Sequence, residues 1–186
     1  MATPARLIRC YRVALALLCA AIAGWYSPFL ATVGWRVLHP RGSVEYRGLH
    51  ILVPWGWASD FDSLATDNSV VPEGISLRKA HRNLFERGSP QMIFVTVIAP
   101  EKGRSAEEQT REWLDDFRAS HPGYSFAAAP PAELPHNVNC LSAQDNNQPD
   151  FAVWTCISVP NGWVVNYAGR AADVPVFFQV VAALRQ

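Results

Sequence analysis

Charge is scarce in this chain. Asp, Glu, Lys and Arg make up 17% of its 186 residues, against ~25% in an ordinary globular chain. Sixteen basic residues balance sixteen acidic ones, so no net positive field is present to hold a nucleic-acid backbone. Neither a phosphate-binding glycine loop nor a Gly-x-Ser-x-Gly elbow occurs, so the usual sequence marks of nucleotide-binding proteins and serine hydrolases are missing. His39, His50, His81 and His121 are scattered. Only His136 and Cys140 stand four apart, two donors where zinc needs three or four. Asp60-Phe61-Asp62 lacks the glycine-bearing loop of a calcium hand. No metal, no cofactor and no catalytic residue is therefore expected. An enzyme would need a site assembled from distant residues.

Apolar residues are plentiful at 49%, enough to build a core, and the length suits one domain. The charge that exists is unevenly placed. Residues 1–47 carry six arginines (6, 9, 12, 36, 41 and 47) against the single acid Glu45, and the remainder is acidic by the same margin. Arg6, Arg9 and Arg12 precede a charge-free run of 23 residues, Val13 to Trp35, and ~20 apolar residues in a helix cross a bilayer. Trp25, Tyr26 and Trp35 lie in its second half, where interfacial aromatics are common. The pattern predicts a cytoplasmic segment over 1–12, a transmembrane signal anchor over 13–35 and an extracytoplasmic domain over 43–186. The chain would cross the cell inner membrane once, with the domain in the periplasm. Arg36 and Arg41, beyond the run, oppose that orientation in part. Ala21-Ile22-Ala23 also fits a signal-peptide cleavage pattern, yet the apolar run continues 12 residues further through Trp25, Tyr26 and Phe29. Leu18 before Cys19 is too large for a lipoprotein signal. Pro28 can kink the helix or end it early.

The domain reads as strands and two helices. Ser105-Ala106-Glu107-Glu108 is a capping box, in which the Ser hydroxyl accepts from a free helical N–H and the Glu reaches back to the cap N–H. Thr110, Trp113, Leu114 and Phe117 then share one helical face, and His121-Pro122-Gly123 stops the helix. A helix is expected over 105–120. A second is expected over 173–184, capped by Asp173, with Pro175 in its first turn and a stripe of Val174, Phe177, Phe178, Val181 and Leu184. Alternation and turn residues place strands at 43–46, 50–53, 91–99, 138–143, 151–159 and 163–167. Residues 60–89 are the least legible. Ile75 to Lys79 suits a short strand followed by a loop, although Leu77, His81, Leu84 and Phe85 also fit a helix.

Two features stand out in this framework. The heptad Ile51-Leu52-Val53-Pro54-Trp55-Gly56-Trp57 recurs as Ile157-Ser158-Val159-Pro160-Asn161-Gly162-Trp163. Pro and Gly two apart suit the second and fourth places of a β-turn, so the echo reads as a repeated strand-to-turn solution, with a duplicated binding motif as the alternative. Cys10 and Cys19 lie before or within the membrane run, which leaves Cys140 and Cys156, each eight residues from Gln148. A hairpin centred on Gln148 would set them directly opposite, at a Cα spacing of ~4.5 Å that suits a disulfide. A one-residue slip would turn them to opposite faces and leave two free thiols.

The stretch Tyr46-Arg47-Gly48-Leu49-His50-Ile51-Leu52-Val53-Pro54-Trp55-Gly56-Trp57 resembles the first hairpin of the PsbP/Mog-like fold. The order that follows is also similar: a long strand, a capped helix, several antiparallel strands, then Tyr167-Ala168-Gly169 and a closing helix. The resemblance spans about residues 43–185 and implies an α+β domain, an antiparallel sheet between helices in an αβα sandwich. That fold group includes an extrinsic photosystem II protein, a Ran-binding nuclear factor and DcrB-type bacterial envelope proteins, so fold alone transfers no function. The expected role is a membrane-anchored, non-enzymatic binding or accessory module of the bacterial cell envelope, with an envelope protein or small ligand as partner. Trp55, Trp57, Asp60, Asp62, Arg78, Lys79 and Arg82 are its candidate contact surface.

Overall fold

The computed structural model describes residues 4–60, 74–81, 91–128, 134–135 and 137–184, with side chains from Arg12 onward except that of Asp60. The chain opens with two helices, α1 (Pro4–Trp25) and α2 (Ser27–Leu38), bent by 78° at a break on Tyr26. The expectation of one continuous helix over 13–35 is corrected here. Pro28 has no N–H for the carbonyl of Gly24, and its ring crowds that carbonyl, so it is tolerated only in the first turn of a new helix. Among the described residues no single helix is long and apolar enough to cross a membrane.

The domain is α+β. A two-stranded hairpin, β1 (Ser43–Tyr46) and β2 (Leu49–Leu52), leads into a seven-stranded sheet. Arg47 and Gly48 both have positive φ, 49° and 82°, the backbone of the tight turn that suits a two-residue hairpin. The sheet comprises β3 (Trp57–Asp60), β4 (Gly74–Lys79), β5 (Met92–Val97), β6 (Ser125–Ala127), β7 (Asn139–Gln144), β8 (Phe151–Ser158) and β9 (Trp163–Arg170). Its order is β3-β4-β5-β9-β8-β7-β6, and every neighbouring pair is antiparallel. Ile75 to Lys79 is thus strand, because it pairs with β5 on one side and β3 on the other.

Helices cover both faces. α3 (Ala106–Ala119) carries the capping box as read: Ser105 Oγ accepts from the Glu108 N–H at 3.2 Å, and the Glu108 carboxylate accepts from the Ser105 N–H at 2.9 Å. Its Trp113 Nε1 donates to Thr155 Oγ1 at 3.2 Å, and Phe117 packs on Leu141 and Ala143. A 3-10 turn, Ala171–Asp173, precedes α4 (Val174–Ala183). Phe177, Val180 and Val181 of α4 are buried on the other face with Ile93, Val95, Val165 and Tyr167. The β1–β2 hairpin contributes Val44, Leu49 and Ile51 to the same core. Strand alternation decides this division, since odd residues of β5 and β9 face α4 and even ones face α3. Of the expected helical stripe residues, Phe117, Phe177 and Val181 are buried, whereas Trp113, Leu114 and Phe178 keep partial exposure.

The echoed heptads fold differently. In the second, the Gly162 N–H donates to Val159 O at 3.1 Å, closing the β8–β9 hairpin with Pro160 and Gly162 in the second and fourth places. In the first, the Trp57 N–H donates to Pro54 O at 3.1 Å, so the turn starts one residue later and passes the chain from the small sheet to the large one. Gly56 (φ 77°) and Gly162 (φ 66°) both need the left-handed region.

Candidate functional site

The residues proposed from sequence do not converge. Trp57 is 2% exposed and belongs to the core, which corrects its place on a contact surface: the strand after the turn brings it onto the α4-covered face. Trp55, two residues earlier, is 70% exposed, with the Arg36 guanidinium 5.1 Å from its ring centroid. Asp60 ends β3 opposite Ser76. Arg78 is exposed and, by alternation, on the face opposite Leu77 and Lys79. Asp62 and Arg82 lie outside the described residues, as does His136. Cys140 and Cys156 are directly opposed in the β7–β8 register and joined as a disulfide, Cα to Cα 4.1 Å, at 5% and 0% exposure.

Lys79 is engaged in structure. Its Nζ donates to both carboxylate oxygens of Asp173, each at 2.7 Å. Asp173 was expected to cap α4 but makes no cap hydrogen bond. An ammonium group across the sheet is a stronger partner for a carboxylate than a neutral N–H. Gln91, with its carboxamide oriented to match its neighbours, donates to Asp173 and accepts from Arg170 Nε at 3.2 Å. The Tyr167 hydroxyl donates to Arg170 O at 2.7 Å, and burial, then the Asp173 charge, raise its pKa well above the ordinary phenol value. A Cβ on Gly169 would stand 2.6 Å from that hydroxyl, so glycine there is a steric requirement. The polar groups are satisfied by one another, and the cluster latches α4 to the end of β4, β5 and β9.

An open cleft of about 690 Å³ lies beside α3, within the size range of small-ligand sites. Met92 and Phe94 of β5 and Asn166 and Ala168 of β9 floor it, because α3 packs over β7 and β8 and leaves that half of the face open. Trp113, Asp116, Phe117, Ser120 and His121 form its wall. Spacings of three and four along α3 put these side chains on one flank. His121 Nδ1 lies 2.9 Å from Phe117 O and 3.0 Å from Ser120 Oγ. The Ser120 hydroxyl donates to Phe117 O, at 2.9 Å. What the cleft offers is an apolar slot with a carboxamide, a carboxylate and an imidazole nitrogen. The α3 wall is legible in the sequence as a packing face, and the floor is not. The available signal was apolar residues, Met92, Phe94 and Ala168, at outward strand positions. Among the described residues no group of three or more His, Cys, Asp or Glu is placed to hold a metal.

No family model matches the chain, and no curated protein matches it at a significant level.

Proposed function

We propose that this chain is a membrane-anchored, extracytoplasmic binding or accessory module of the cell envelope and not an enzyme. One combination carries the reading: an N-terminal helical segment with its apolar side chains turned outward, joined to a domain closed by a disulfide. Leu17, Leu18 and Ile22 are 51–66% exposed, and apolar surface of that extent calls for lipid or a partner. The Cys140–Cys156 bridge suits a compartment outside the reducing cytoplasm. Arg6, Arg9 and Arg12 before the apolar run favour a cytoplasmic N-terminus and a single anchor in the inner membrane that begins at Val13. The cleft beside α3 supports binding of a small apolar ligand. The α+β sandwich accords with the PsbP/Mog-like resemblance as a fold-level analogy.

The test uses the full chain expressed in a Gram-negative host. After alkaline extraction it should remain with the membranes, protease added outside spheroplasts should remove the domain, and intact-mass analysis should find residues upstream of Gly24. Release by alkali, protection of the domain, or a mature N-terminus at Gly24 would each refute the anchored form.

A further inference from the structure

We infer that α2 is an in-plane membrane helix and that, with Trp55, it seats the domain on the bilayer at a fixed orientation. The inference rests on the anchored reading and extends it from a tether to a docked surface. α1 holds thirteen uncharged residues, Val13 to Trp25, which at 1.5 Å each reach ~20 Å of a ~30 Å hydrocarbon core. Arg12 extends that reach by snorkelling. The bend then falls at Trp25 and Tyr26, residues typical of the interface, and a turn of 78° there lays α2 nearly parallel to the surface.

Both faces of α2 fit that position. One is bound to the domain: Trp35 Nε1 donates to Ser59 Oγ at 3.1 Å, Arg36 Nη1 donates to Val53 O at 3.0 Å, and Thr32 is buried. The other presents Leu30, Val33 and Val37, spaced three and four apart and so on one side. Leu30 is 47% and Val37 74% exposed. An amphipathic helix in this place lies with its apolar face ~5–10 Å deep, at the boundary of headgroups and acyl chains. Trp55 stands beside it, exposed and stacked under the same Arg36 that ties α2 to Val53, the residue after β2. Exposed Arg41, three residues past the end of α2, adds a positive charge that suits anionic headgroups. Because α2 is held at both Trp35 and Arg36, the domain cannot swing on a free linker, and the docked side is set by the fold.

The experiment uses the full chain with Cys10→Ser and Cys19→Ser, its disulfide intact, in phosphatidylcholine–phosphatidylglycerol vesicles. Single cysteines replace Leu18, Leu30, Val37, Trp55 or Gln148, all exposed positions, and carry an environment-sensitive fluorophore. Brominated lipids should quench the labels at 18, 30, 37 and 55 by about twofold or more, as burial at interfacial depth requires, and leave 148 unchanged. Quenching at 18 without quenching at 30, 37 and 55 would overturn the docked surface and leave the anchor standing. Absence of quenching at 18 as well would overturn both.

Discussion

Reducing the Cys140–Cys156 bridge should destabilise the domain without unfolding it at room temperature. The bridge joins two residues 16 apart in sequence, and the chain-entropy treatment of a loop that size assigns it about 3 kcal/mol, acting on the unfolded chain. The thiols left behind would stay buried, at 5% and 0% exposure, and cysteine behaves as a small hydrophobe, so packing of the native state changes little. Reduction is thus a cleaner perturbation than substitution, which would add a cavity. For a domain of this length about 3 kcal/mol corresponds to a fall in Tm on the order of 10 °C. The slope of a urea transition should also rise, because the open chain exposes more surface. Thiol counting provides the control. Of four cysteines, two should react in unfolded, unreduced protein and four after reduction. Four reactive thiols without reductant, or a urea midpoint indifferent to reduction, would refute the reasoning.

Gly169→Ala should cost ~1–3 kcal/mol by overpacking against the Tyr167 hydroxyl, and urea denaturation should show part of the loss recovered in the double variant with Tyr167→Phe. The Tyr167 phenol, its pKa raised by burial, favours the folded state below the ordinary phenol pKa; that contribution is lost as pH rises through the folded value. Stability should therefore decline above about pH 10, less steeply in Tyr167→Phe, as alkaline denaturation curves would record. Glu108 has its pKa lowered, first by the Ser105 N–H and then by the Ser105 hydroxyl. Its contribution to the start of α3 is present above the ordinary carboxylate pKa and fades as pH falls through the lowered one. A carboxylate NMR titration should find it below the ordinary glutamate value, and Ser105→Ala, which keeps the backbone N–H, should move it part of the way back.

Features closed within a few residues were legible from the chain alone. The capping box at 105–108 needs only four residues to satisfy two helix-end N–H groups, so Ser and Glu at that spacing already specify the bonds. The β7–β8 register followed from two cysteines equidistant from a polar turn: the Gln148 N–H donates to Asp145 O at 3.0 Å, and the Asn147 N–H donates to the Asp145 carboxylate at 2.8 Å. Alternation marked β8 and β9 because one face of each must be buried. The break at Tyr26 was half legible. Pro28 announces an interruption, but its angle depends on how the two helices and the domain meet.

Distant partners decided the rest. Asp173 has the side chain of a cap and the position of one, yet its carboxylate goes to Lys79, 94 residues away in sequence, since a charged donor outweighs a local neutral one. Trp55 and Trp57 sit in a heptad that recurs at 157–163, and the two copies make different turns because one ends in a hairpin and the other crosses between sheets. The cleft has its wall on α3 and its floor on β5 and β9, and α3 is seated over β7 and β8 by Phe117 on Leu141 and Ala143 and by the Trp113–Thr155 hydrogen bond. Backbone hydrogen bonding and burial periodicity act over a few residues and can be read in order. Which face is covered, and which carboxylate meets which cation, are contests among groups that share no sequence neighbourhood, and they are settled only when packing brings the competitors within reach.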